Sequence, residues 1–307
     1  MTHDVSVVVP AYNEAESLPE LVERVRAVLA PRGKPWEMIV VDDGSTDLTR
    51  AVLKDLATRV PELRYRSLLR NYGKSAALSV GFEEARGSRV VTMDADLQDD
   101  PAEIPALLAK LEEGWDLVSG WKRVRHDPSS KTVPSRLFNT VTSSVSGLRL
   151  HDFNCGLKAY RAHVARDLPV YGELHRFLPA LAHWRGYRVT EIPVQHHPRR
   201  HGTSKFGASR FVNGFLDLLT VTFVHSGRLS PLHVFGRIGL LLGLAGGGIF
   251  TGFVVHWALG GPVRTRPIFF IALILLILAI QFISLGLLGE LVVKGQSRPA
   301  CHFREDE

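Results

Sequence analysis

The chain has 307 residues, with 37 lysines and arginines against 31 aspartates and glutamates, a formal charge of +6. That length supplies one large core or two smaller ones, and the positive balance predicts phosphate-bearing ligands or an anionic membrane surface. Nucleic acid is not expected as a partner, because the basic residues are scattered and no nucleic-acid motif accompanies them. The only two cysteines, Cys155 and Cys301, lie far apart without metal-ligand spacing. They predict reduced thiols of a cytosolic domain and exclude a disulfide framework. At the N-terminus, Val5–Val9 is too short for the apolar region of a signal peptide and stops at Pro10, so the soluble part is expected on the cytosolic side.

In chain order, apolar runs predict strands at Val5–Val9, Trp36–Val41, Arg64–Leu68, Arg89–Met93 and Asp116–Ser119. Helical spacing fills the intervals at Ser17–Ala30, Thr46–Val60, Ser75–Ala85 and Ala102–Glu113. The last helix carries a start signal, with Asp100 as N-cap, Pro101 at N1 and Glu103 at N3. Strand–helix alternation with strands this apolar predicts an α/β domain, its mostly parallel sheet covered on both faces. Ligands of such sheets bind at the carboxyl ends of the strands.

Beyond Gly120 the pattern is irregular. Gly120–Pro134 is polar and basic, Ser135–Ser146 and Gly172–Trp184 read as helices, and Arg188–Val194 reads as a strand. Phe206–Val224 is densely apolar but interrupted by Arg210, Asn213 and Asp217. It predicts an interfacial helix joining the domain to a membrane, with a core helix of the soluble domain as the alternative. Val234–Leu259 and Ile268–Val293 are each long enough to cross a hydrocarbon core of ~30 Å at ~1.5 Å per residue. The short link Gly260–Pro267 makes them a helical hairpin. Arg228, Arg237, Lys294, Arg298 and Arg304 at its open end outnumber Arg264 and Arg266 in the link, which predicts both termini inside. Gly239, Gly243 and Gly247 form a small-residue stripe for the second span or for another subunit, so a homo-oligomer stays open. The expected boundaries are a catalytic domain over 1–205, a juxtamembrane segment over 206–233, two spans over 234–293 and a tail over 294–307.

Four loops carry chemistry. Pro10-Ala11-Tyr12-Asn13-Glu14 follows the first strand and Asp42-Asp43-Gly44-Ser45-Thr46-Asp47 the second. A carboxylate at a strand end can bind a ribose hydroxyl or a base edge, and a tyrosine can pack on the base. Taken alone, Asp43-Gly44-Ser45 reads as an ordinary turn capping the next helix, a preference reversed by two such fragments preceding the Asp94-Ala95-Asp96 strand. The fourth strand ends in Asp94-Ala95-Asp96-Leu97-Gln98. Carboxylates two apart on an extended chain point the same way and can share one hard divalent cation, with Gln98 adding a neutral oxygen. Arg70-Asn71-Tyr72-Gly73-Lys74 opens a helix after the third strand. Gly73 suits a tight turn there, and Lys74 can hold anionic phosphate.

This ordered set resembles glycosyltransferase family 2, and within it the dolichyl-phosphate mannose synthase and bactoprenol glucosyltransferase group. The likeness runs from about Val5 to Lys205, and the trailing hairpin also fits. It implies the GT-A fold, a nucleotide-sugar-binding α/β domain. It further implies that Pro10, Tyr12, Glu14 and Asp42 contact the nucleoside, and that Asp94, Asp96 and Gln98 hold Mg²⁺ or Mn²⁺ against the diphosphate, with Lys74 nearby. Trp121-Lys122-Arg123-Val124-Arg125 with Ser135-Arg136 resembles the family's acceptor loop, where arginine forks meet a lipid phosphate. His196-x-x-Arg199-x-x-Gly202-x-Ser204-Lys205 matches a pattern near the donor phosphates and the membrane. His151–Arg161 corresponds to a segment close to the reacting centre, with Asp152 the candidate base and a turn hydrogen bond its alternative role.

The resemblance thus implies inverting transfer of one sugar from a nucleotide diphosphate sugar to a polyprenyl phosphate, undecaprenyl or dolichyl. Two rivals are a processive polysaccharide synthase, whose extra spans and Gln-x-x-Arg-Trp motif are missing here, and a non-catalytic membrane scaffold on the same fold.

Overall fold

The structure, a computed structural model, describes residues 3–123, 129–198, 230–261 and 267–296, excepting the side chains of 129–137 and 293–296. The chain divides into two compact units, Met1–Val221 and Thr222–Glu307. The predicted interfacial helix at Phe206–Val224 lies outside the described residues.

The first unit is built on a seven-stranded sheet in the order β3-β2-β1-β4-β6-β5-β7. Its strands are β1 (His3–Ala11), β2 (Trp36–Asp42), β3 (Leu63–Ser67), β4 (Gly87–Thr92), β5 (Leu117–Lys122), β6 (Lys158–Arg161) and β7 (Val189–Val194). The first four are mutually parallel where they pair, as predicted. The strand that patterning did not reveal is β6, which runs antiparallel between β4 and β5. It has four residues and charged ends, too short to display alternation. By reversing direction it lets β5 and β7 point the same way as β4.

Period-two alternation sorts the core onto two faces. Val5, Val7 and Val9 point to one side, against Leu21, Val22 and Val25 of α1 (Leu18–Leu29) and Leu107, Leu108 and Leu111 of α4 (Ile104–Glu112). Val8, Ile39 and Val41 point to the other, against Leu78 and Phe82 of α3 (Lys74–Glu84), Val164 of α6 (Ala162–Asp167) and Leu181 of α7 (Leu178–Trp184). The remaining helices of this unit are α2 (Thr49–Arg59) and α5 (Ser129–Ser146).

Three local expectations change. The helix read over Gly172–Trp184 is a 3₁₀ turn, Leu174–Arg176, followed by α7. A continuous helix would drive the Pro179 ring into the His175 carbonyl four residues back. Asp100 does cap Ala102 N–H at 3.0 Å, but the turn it opens, Pro101–Glu103, is also 3₁₀, because Pro105 imposes the same restriction. Glu103 does not reach back to complete a reciprocal cap; its carboxylate accepts from Gln195 N–H at 3.2 Å. Finally, α2 is opened by Asp47, which accepts from Thr49 N–H at 3.0 Å, and not by the Asp43–Ser45 turn.

In the second unit, α8 (Pro231–Ala258) and α9 (Pro267–Gln296) pack along one another. Both are long and apolar enough to span a bilayer, and large side chains such as Leu241, Leu244, Ile280 and Leu291 are exposed on their flanks. The close contact runs through Gly239, Gly243 and Gly246. A Cβ on Gly239 would sit 2.9 Å from the Ala279 carbonyl, and one on Gly246 would sit 3.0 Å from that of Ala272. Gly247, predicted in this stripe, faces nothing within 4 Å; the 3.6-residue period favours position 246 over 247. The stripe therefore serves packing within the hairpin.

Candidate active site

The carboxyl ends of β1, β2 and β4 bring the predicted loops together, and backbone constraints explain their shape. Asn13 adopts a left-handed φ of 56°, a conformation asparagine tolerates better than most residues. Its side-chain oxygen accepts from Thr46 N–H at 2.8 Å, while its own N–H donates to Ser45 Oγ at 2.9 Å. Glu14 N–H donates to Thr49 Oγ1, and the Glu14 carboxylate accepts from Ser17 Oγ at 3.0 Å. Half-buried Tyr12 and Glu14 are thus carried on a loop laced to the Asp42–Thr49 segment.

The two aspartates after β2 divide the work. Asp42, almost wholly buried, accepts from Ser45 N–H at 2.9 Å. Asp43 accepts from Tyr72 N–H at 2.8 Å and Gly73 N–H at 2.9 Å, so it clamps the loop that delivers Lys74. Gly44 allows that approach: with φ +68°, a Cβ there would lie 2.3 Å from the Arg70 carbonyl carbon. Gly73, at φ +94°, then turns the chain into α3.

Lys74 ends in an ion pair with Asp94 at 2.5 Å. Asp94 and Lys74 share a small recess with Pro10, Asn154, Lys158 and His175. Burial alone would raise the Asp94 pKa, but Lys74, Lys122 and Lys158 overcome it and hold the carboxyl well below its ordinary range. Asp96 is buried and accepts from Gln98 N–H at 3.2 Å. Between them Leu97 takes a φ of 60°, a backbone strain of about 1–3 kcal/mol for such a residue. Burial of the Leu97 side chain in the core holds the turn in place.

A lysine network underlies this loop, in which Lys122, predicted only as part of the acceptor loop, turns instead to Asp99, and Lys158 carries no signal in the sequence. Lys122, at the end of β5, pairs with buried Asp99 at 3.1 Å. Burial lowers the Lys122 pKa, yet Asp99 and the other acids around it prevail and raise it above the usual lysine value. Burial instead wins at Lys158, whose pKa is lowered and whose Nζ donates to the Cys155 carbonyl. Burial, with Asp99, pushes the Cys155 thiol up to about 12, which keeps it protonated and unreactive. Lone lysines within strands carry no periodic signal, so only the antiparallel placement of β6 brings Lys158 here.

In the segment predicted as an acceptor loop, Arg123 is exposed just beyond β5. Trp121 stacks on His151 with centroids 4.1 Å apart, and Glu191 of β7 accepts from both the ring and the main-chain N–H of His151. Asp152 is buried, and its side chain accepts from Asn154 N–H at 3.1 Å, the geometry of the turn role. The side chains of Ser135 and Arg136, and all of Arg199 and Lys205, lie outside the described residues. The segment before Arg199 is tied to the Asp96 loop: His197 N–H donates to the Gln98 carbonyl at 2.9 Å, and His197 Nε2 lies 2.9 Å from Asp100 Oδ2.

A mostly parallel sheet, two carboxylates at its topological break and interlaced loops over β1 and β2 define a GT-A glycosyltransferase. The chain belongs to the family described as "Glycosyl transferase family 2", whose model matches residues 6–168. It is 39% identical to the dodecaprenyl-phosphate galacturonate synthase of Rhizobium johnstonii, over 99% of this chain and 90% of that one. It is 38% identical to the undecaprenyl-phosphate 4-deoxy-4-formamido-L-arabinose transferase of an Enterobacter species, over 94% and 88% of the two chains. Among solved structures, glucosyl-3-phosphoglycerate synthase from Mycobacterium tuberculosis, in complex with Mn²⁺, UDP-glucose and phosphoglyceric acid, superposes with a TM-score of 0.56. That protein is 20% identical, and the match covers 71% of this chain and 80% of that chain.

Proposed function

We propose that this protein transfers a single sugar, with inversion, from a nucleotide diphosphate sugar to a polyprenyl phosphate at the cytosolic face of a membrane. The observation that carries the reading is a GT-A domain with Asp94, Asp96 and Gln98 at the end of β4 in a chain that also holds a two-helix apolar hairpin. Both relatives named above are, by name, enzymes of polyprenyl phosphates. Neither rival accounts for this combination: a processive synthase has more spans, and a scaffold has no use for the strained Asp96–Gln98 turn.

The donor set suits a divalent ion. Among the described residues no three His, Cys, Asp or Glu converge, so this reading rests on the carboxylates of Asp94 and Asp96 and the amide oxygen of Gln98 as donors. Such hard oxygen donors fit Mg²⁺ or Mn²⁺ with diphosphate oxygens completing the sphere. Gly156 leaves the space this needs, since a Cβ there would meet the Asp94 carboxylate. When bound, the ion supplies Lewis-acid stabilisation of the departing nucleoside diphosphate.

The chain's own residues do the rest. Pro10, Tyr12, Glu14 and Asp42 hold the nucleoside, while Lys74 and Arg199 bind the phosphates. Arg123, Ser135, Arg136 and Lys205 orient the lipid phosphate, whose oxygen attacks the anomeric carbon as the nucleoside diphosphate leaves. Fixing the nucleophile lowers the entropic part of the barrier. A strong base is dispensable because a phosphate monoester is already anionic at neutral pH, which leaves Asp152 to its turn. The test is a membrane assay with undecaprenyl and dolichyl phosphates and a panel of labelled UDP- and GDP-sugars. Labelled lipid with one donor supports the reading; no labelled lipid with any donor contradicts it.

A further inference from the structure

The recess beside Asp94 also contains a histidine that no motif announces. His175 lies in the 3₁₀ turn before α7, with its ring half-buried on the recess wall. Its main-chain N–H donates to Ser75 Oγ at 3.1 Å, and its Nδ1 lies 3.0 Å from the same oxygen. Ser75, fully buried, follows Lys74 in α3. With one lone pair of Oγ taken by the main-chain N–H, the hydroxyl proton is free to go to Nδ1. In that arrangement the ring proton is on Nε2. Burial first, and then the neighbouring Lys74 and Arg176, hold the imidazole well below the usual histidine range, so the ring is neutral. Among the described residues Nε2 has no hydrogen-bond partner.

We infer that His175 is a hydrogen-bond donor, through Nε2–H, to a hydroxyl of the sugar being transferred, and that Ser75 fixes its tautomer. The inference rests on the nucleotide-sugar reading above and names a contact within it. A hydroxyl is the chemistry favoured over a phosphate oxygen. Lys74 already supplies a cation on this side of Asp94, and a neutral N–H adds none. A site built to pair with a sugar hydroxyl also rejects analogues that lack it more strongly than an apolar wall can. His175 is therefore a specificity residue for the donor sugar.

The test uses the full chain and four variants: His175→Ala, His175→Gln, His175→Asn and Ser75→Ala. The Gln amide nitrogen stands near the position of Nε2, and that of Asn near Nδ1. Binding of UDP and of GDP with Mn²⁺ is measured beside the transfer kinetics of the preferred nucleotide sugar. His175→Ala should lower kcat/KM for the nucleotide sugar about ten- to a hundredfold with nucleoside diphosphate affinity unchanged. His175→Gln should recover most of that loss and His175→Asn should not, while Ser75→Ala should give a smaller loss of the same kind. Should Ala fail to fold, the Gln–Asn difference decides alone. Equal activities for Gln and Asn, or a parallel loss of nucleoside diphosphate binding, would overturn the inference. Failure of the broader reading shows separately, as wild-type protein that uses no nucleotide sugar.

Discussion

Gly156 touches Asp94 so closely that a Cβ at position 156 would lie 2.6 Å from the Asp94 carboxyl carbon. The first site carboxylate thus keeps its position only because the facing residue has no side chain. Gly156→Ala should push Asp94 away from Lys74 and lower transfer at least tenfold. The expected signature is a weakened metal dependence with a modest fall in melting temperature. Wild-type turnover in the variant would mean that Asp94 has freedom the packing denies it.

The basic residues after β5 are assigned to the lipid phosphate. Arg123→Ala or Arg136→Ala should impair transfer to lipid far more than binding of the nucleotide donor. Loss of one charge-assisted contact costs roughly 1.5–3 kcal/mol, or about one to two decades. Donor binding and lipid transfer measured side by side check this, and equal damage to both would place the arginines on the other substrate.

At the opposite end of the sheet, Glu37 is buried. It accepts from Ser6 Oγ and Arg86 N–H, both at 2.7 Å, and from Arg64 at 2.9 Å. Burial raises its pKa, but these three donors prevail and hold it below the ordinary glutamate value of 4.5. A carboxyl whose folded pKa is depressed stabilises the fold above its unfolded pKa and loses that contribution as pH falls through the folded value. Glu37→Gln should therefore be less stable than wild type at neutral pH, with the gap narrowing as pH falls below about 4.5. Denaturant melts across that range check the sign, and a constant gap would rule the mechanism out.

The two compact units suggest a division of labour. A chain ending before α8 keeps every described donor-side residue. It should bind nucleotide sugar with metal yet transfer poorly to long polyprenyl phosphate in membranes, because anchoring raises the local concentration of enzyme and lipid. A short, water-soluble prenyl phosphate should be affected much less. Lost donor binding in a folded truncated protein would mean that the hairpin belongs to the catalytic fold.

Sequence reading succeeded where local pattern and position coincide. Val5–Val9 and Arg89–Met93 announce strands by composition, but Asp94 and Asp96 follow β4 in a turn with a left-handed Leu97 and not on the extended chain that their spacing predicts. It failed where placement depends on pairing across the sheet. Lys158-Ala159-Tyr160-Arg161 resembles no strand until it is seated antiparallel between β4 and β5. His175 gains meaning only from Ser75, a hundred residues away. The turn motif at Asp43 does not announce its clamp on Tyr72 and Gly73, which spans about thirty positions. Long-range hydrogen bonds leave no period in a sequence.

Metal-supported transfer of one sugar to a lipid phosphate depends on the carboxylates that follow β4. The most direct measurement is mass spectrometry of the lipid product formed by wild type and by Asp96→Asn, with and without chelator. Wild type should give polyprenyl phosphate carrying a single sugar, abolished by chelation. Folded Asp96→Asn should give at least about a hundredfold less. A polymeric product, or undiminished single-sugar product from folded Asp96→Asn, would contradict the account.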